Sequence, residues 1–99
     1  MKIVYLYVSP NPKYKYRVKI DNKNIDFGAN GYSDYILSGG DDVKKRAYIA
    51  RHRVREDWSD LMKKGTWSRF LLWNQKTLKG SIKDMEKRFN IKIITPSNI

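Results

Sequence analysis

A chain of 99 residues is long enough for one hydrophobic core and too short for two, since a domain of this size buries roughly 60–65% of its unfolded surface. A hydrophobic content of 40% with thirteen Phe, Trp and Tyr residues excludes a disordered chain, and the absence of cysteine excludes disulfides, thiolate zinc sites and cysteine nucleophiles. With 21 Lys and Arg against 10 Asp and Glu the net charge is +11, spread along the chain, so the expected partners are polyanions: nucleic acid first, then an acidic protein face or an anionic membrane.

The elements follow in order. Ile3 to Val8 is an unbroken β-branched and aromatic run, too short to span a bilayer and without a small-residue cleavage site. It predicts a strand buried on both faces, stopped by Ser9-Pro10-Asn11-Pro12. From Lys13 to Ile20 the chain alternates strictly. Tyr14, Tyr16, Val18 and Ile20 fall on one face, and Lys13, Lys15, Arg17 and Lys19 form a wholly cationic face opposite. Asp21 to Asn24 has turn chemistry and Ile25-Asp26-Phe27 resumes the alternation, giving a β-hairpin over 14–27 that Gly28, Asn30 and Gly31 end. Tyr32 to Leu37 fits either a short strand or an ordered loop, and Ser38-Gly39-Gly40 is a break.

Asp41 or Asp42 can cap a helix running to Arg55, on which Val43, Ala47, Ala50 and Val54 recur at 4, 3, 4 spacing as a core-facing stripe. Lys44, Tyr48, Arg51 and Arg55 make a second stripe with the same spacing, about 80–100° round the helix. After Lys63-Lys64-Gly65, Thr66 is expected to cap a short helix carrying Trp67, Phe70 and Leu71. Thr77 is expected to cap another, in which Leu78, Ile82, Met85 and Phe89 repeat at 4, 3, 4 and Asp84 can pair with Arg88. Ile91 to Ile94 reads as a closing strand ended by Pro96. The expected fold is a small α+β domain over 1–99: an antiparallel hairpin with an added N-terminal strand, packed against two or three short helices.

Three strings in order, KYRVKIDNKNIDFGANGYSDY, YIARHRVREDW and GTWSRFLLWNQKTLKGSIKDMEKRFN, resemble a family of small basic, largely uncharacterised proteins encoded by nucleocytoplasmic large DNA viruses of chlorovirus, mimivirus and iridovirus types. The likeness covers residues 14–92. Its marks are Phe27-Gly28, Ser33-Asp34-Tyr35, Tyr48 to Trp58, Trp67 to Asn74 and Thr77 to Asp84. The strand Met1 to Val8 and Ser38-Gly39-Gly40, where a Lys-Asp-Pro type loop is expected, depart from it. The resemblance implies a viral origin and a place in the particle or on its genome, in host cytoplasm or virus factory during infection, and it carries no catalytic residue.

Cations and aromatics interleave at Lys13, Tyr14, Lys15, Tyr16 and Arg17 and again at Lys44, Tyr48, Arg51 and Arg55. Phosphates are met by Lys and Arg and bases by exposed rings. The competing reading makes the tyrosines an inner hairpin face and ties the helix arginines into i, i+4 pairs, Arg53 with Asp57 and His52 with Glu56. His52 is the sole histidine, and no metal spacing, HNH-like cluster or Gly-rich phosphate loop accompanies it. Trp58, Trp67 and Trp73 are too widely spaced for one helix face and suit core packing. The expectation is therefore a non-enzymatic basic protein binding nucleic acid through Lys13, Lys15, Arg17, Lys19, Lys44, Tyr48, Arg51 and Arg55. No cofactor, metal, membrane or small-molecule substrate is expected. The alternative is a minor capsid or cement protein meeting acidic faces of other capsid subunits.

Overall fold

The hairpin turns on two residues. In a computed structural model describing residues 1–96, Asp21 and Asn22 both take left-handed φ values, 49° and 63°, the signature of a type I′ turn whose twist matches that of its strands. Lys23 and Asn24, expected in the turn, instead pair with Ile20 and Lys19, joining β2 (Tyr14–Ile20) to β3 (Lys23–Ala29). β1 (Lys2–Val8) pairs antiparallel with β2, and β4 (Ile91–Ile94) pairs parallel with β1, giving the sheet order β3-β2-β1-β4.

One face of this sheet makes the core. Val4, Leu6, Val18, Ile20, Ile25, Phe27, Ile91 and Ile93 are buried against Trp67, Leu71 and Met85. The Cα radius of gyration, 12.7 Å, matches the roughly 12–13 Å of a compact 99-residue domain. The expected α+β architecture is observed. β1, however, is not buried on both faces: Ile3 and Tyr5, opposite Val4 and Leu6, are each about half exposed. The helices cover one sheet face only, and an apolar run does not itself show whether one face or two will be covered.

Of the two expected alternatives, residues 32–37 form the loop and not a strand, and they bring Asp34 and Tyr35 into the interior. α1 (Asp42–His52) is capped by Asp41, whose carboxylate accepts from the Val43 and Lys44 amides. It stops three residues before the expected Arg55. Its orientation also corrects the reading of its stripes: Val43 and Val54 are 67% and 76% exposed, whereas Tyr48 is 7% exposed.

α2 (Lys64–Trp67) runs on into a π-helical turn, Ser68–Leu72. Thr66 does not cap it but lies inside it, its hydroxyl donating to the Asp57 and Asp60 carbonyls. Trp67 is fully buried and its Nε1 donates to Leu61 O at 2.8 Å, while Trp58 and Trp73 pack on the core's edge. α3 (Leu78–Phe89) is as expected, with Thr77 accepting from Gly80 N, Met85 inward, and left-handed Asn90 (φ 53°) turning the chain into β4.

Gly28 holds β3 against the helices with φ 74°, and a Cβ there would lie 2.6 Å from Leu72 Cδ1. Gly28→Ala is expected to lower the unfolding free energy by about 1–3 kcal/mol through strain and overpacking, read from urea midpoints.

Candidate nucleic-acid interface

α1 is tethered to the body by a few specific contacts. Tyr35 OH donates to Asp42 at 2.8 Å, Lys45 Nζ donates to Asn74 O at 2.7 Å, and the Tyr48 ring stacks on Trp73 with centroids 4.7 Å apart and planes 9° apart. Tyr48 also stacks on His52 at 4.3 Å. Burial raises the Tyr48 phenol's pKa, so it stays neutral, and burial lowers that of the Lys45 ammonium.

Opposite α1 lies the loop after β3. Asp34 accepts from Leu37 N at 2.8 Å and from Lys15 Nζ, which also donates to Tyr32 O at 2.8 Å. Between loop and helix is a cleft of about 580 Å³. Buried Phe27 and Leu72 line its floor with half-buried Trp73, Tyr14 and Tyr32 flank it, and exposed Lys44, Arg51 and Lys64 stand at its mouth. Glu56 closes one end, with Oε2 3.0 Å from His52 Nδ1; a Cβ at Gly65 would overlap its carboxylate.

The positions expected to bind separate into two groups. Lys13, Lys19, Lys44, Arg51 and Arg55 are exposed, Arg55 lying beyond the end of α1. Lys15 and Arg17 are not free. Lys15 is held by Asp34, and Arg17 grips Asp26 with two bonds, Nε to Oδ1 at 2.8 Å and Nη2 to Oδ2 at 2.9 Å, so the hairpin's wholly cationic face is partly neutralised from within. Tyr48 is a buried anchor and offers no open ring face. Of the two i, i+4 pairs weighed on α1, the His52–Glu56 contact forms, whereas Asp57 turns to Ser59. Tyr32, Lys64 and Trp73, which reach the cleft from separate segments, are absent from the expected set, and Tyr14, named among the interleaved rings, reaches it from β2.

Every acidic side chain has a contact inside the fold, although Glu56 Oε2, beside His52, accepts no hydrogen bond. Asp21, Asp26, Asp34, Glu56 and Asp84 meet Lys2, Arg17, Lys15, His52 and Arg88. Asp41, Asp57, Asp60 and Glu86 accept from backbone amides and Asp42 from Tyr35. Lys44, Arg51 and Lys64, at the cleft mouth, are exposed and have no ion-pair partner among the described residues.

Three carboxyls lie below their usual value of 3.8: Asp26 through its bonds from Arg17, Asp57 through Ser59, and Asp84 because Asn74 and Arg88 together outweigh the upward push of burial. A lowered folded-state pKa gives stability that is present above the unfolded value and lost as pH falls through the folded one. The melting temperature is expected to be flat from neutral down to about pH 5 and to fall below about pH 4. In Asp84→Asn, differential scanning fluorimetry should show a shallower acid decline.

Among the described residues no cluster of three or more potential metal ligands occurs, and no helix is long and apolar enough to cross a membrane. Over residues 4–52, from β1 to the end of α1, the chain is similar to a family of unknown function (DUF5754). Comparison with curated proteins and with solved structures finds no match. The family's description names neither a source nor an activity. The three strings quoted from the sequence meet in space: Phe27-Gly28, Ser33-Asp34 and parts of 48–56 and 68–73 line the cleft.

Proposed function

We propose that the protein binds nucleic acid without catalysis and without strong sequence preference, meeting phosphates with the cations of α1 and the cleft mouth. The observation that carries this reading is the asymmetry of pairing. Nine of the ten acids have a cationic or hydrogen-bonding partner within the fold, Glu56 beside His52 being the exception, whereas Lys44, Arg46, Arg51, Arg53 and Arg55 stand exposed along one short stretch of a chain with net charge +11. Arginine's planar fork suits phosphate oxygens, and the field of such a surface speeds encounter with a polyanion.

The test is a salt series on duplex DNA. With about six cations neutralising phosphates, log affinity should fall against log salt with a slope near −5. Affinity that ignores salt, or no binding at low salt, would sink the proposal. In the large-DNA-virus setting, virion fractionation separates this role from a capsid one. Release together with DNA supports genome binding, and retention on emptied shells supports the capsid role.

A further inference from the structure

We infer that the cleft beneath α1 receives a single nucleotide unit, its base against the aromatic walls and its phosphate at Lys44, Arg51 and Lys64. The inference rests on the nucleic-acid reading and sharpens it. A cleft of about 580 Å³ lies within the roughly 300–1,000 Å³ of small-ligand sites and is far too narrow to take a duplex. Its chemistry is divided as a nucleotide's is. The floor of Phe27, Leu72 and Trp73 is apolar and aromatic, Tyr14 and Tyr32 add rings at the sides, and the free charges at the mouth are positive.

Of the two carboxylates in the cleft, Asp34 is neutralised by Lys15 and does not oppose an anion at the mouth, whereas Glu56 has only His52 beside it and stays negative whenever that imidazole is neutral. Tyr32 is 73% exposed, with its backbone oxygen tied to Lys15, so the ring is presented on an anchored loop. An aromatic held open beside cations is how sequence-tolerant proteins stack bases. Taking a base out of a duplex costs unstacking and unpairing that a single strand largely avoids, so single strands are preferred.

A nucleotide unit can come from a strand or from the free pool, and the test separates the two. Binding of the full chain is measured at constant salt for a dT12 strand, for a 12-mer of equal charge built only of abasic residues, and for 5′-TMP. The dT12 strand should bind about tenfold tighter than the abasic strand, on the scale of one base–aromatic stack. Tyr32→Ala should erase that difference while leaving the melting temperature unchanged, and Tyr5→Ala, on the open sheet face, should preserve it. If 5′-TMP binds as tightly as dT12, the unit comes from the free pool; if it binds far more weakly, the unit is a residue of a strand. Equal binding of dT12 and the abasic strand with a normal salt slope overturns the nucleotide cleft and leaves phosphate binding standing. Loss of the difference in Tyr5→Ala and not in Tyr32→Ala overturns the cleft in favour of the sheet. Absence of binding to every strand at low salt removes both readings.

Discussion

Asp34→Ala is expected to lower the unfolding free energy by about 3–5 kcal/mol, a third or more of the stability of an ordinary small domain. Asp34 is 2% exposed and its partner Lys15 retains 12% of its side-chain exposure, so the alanine leaves an ammonium with little access to water and no counter-charge. It also strips the Leu37 amide of its acceptor. The expected urea midpoint falls with little change in slope. Asp34→Asn, which retains an acceptor for Leu37, should lie between wild type and alanine. The double change Lys15→Met/Asp34→Leu should recover most of the loss, because removing both charges removes the desolvation that the pair has to offset. A cost below about 1 kcal/mol for Asp34→Ala would mean that the pair behaves as a solvated surface bridge. The effect reaches the cleft as well, since the same carboxylate fixes the loop that carries Tyr32.

The contrast between what the sequence discloses and what it hides follows from how each element is held. The hairpin and α3 were legible because a continuous apolar face holds them: Val18, Ile20, Ile25 and Phe27 alternate, and Leu78, Ile82, Met85 and Phe89 repeat at helical spacing toward the core. α1 is held otherwise, by one stacked ring and two polar contacts, so its weak Val and Ala stripe pointed the wrong way. Once Asp21 and Asn22 are recognised as a two-residue turn, Arg17 falls opposite Asp26 just as Ile20 falls opposite Lys23. A shorter turn would have revealed that ion pair from the sequence. The Lys15–Asp34 bond and the cleft offer no such signal. They join residues nineteen positions apart in one case and four separate segments in the other, and no periodicity links them.

The cations in and just after α1 give the second large effect. In Arg51→Ala/Arg55→Ala both truncated side chains are exposed, and neither has an ion-pair partner among the described residues. The melting temperature should therefore move little, because surface changes of this kind are usually worth less than about 0.5 kcal/mol. Binding should change a great deal. Each phosphate contact contributes about 0.9 to the salt slope on duplex and about 0.7 on a single strand, so losing two flattens the slope by about 1.8 or 1.4. Referred to 1 M salt, the same loss at 0.1 M lowers affinity roughly 60-fold on duplex and roughly 25-fold on a single strand. Lys15→Ala/Arg17→Ala makes the informative comparison. Those cations already serve Asp34 and Asp26, so their removal should cost stability and leave the salt slope nearly unchanged. If the slope responds instead to Lys15 and Arg17 and ignores Arg51 and Arg55, the phosphate surface lies on the hairpin and α1 is only a lid on the cleft.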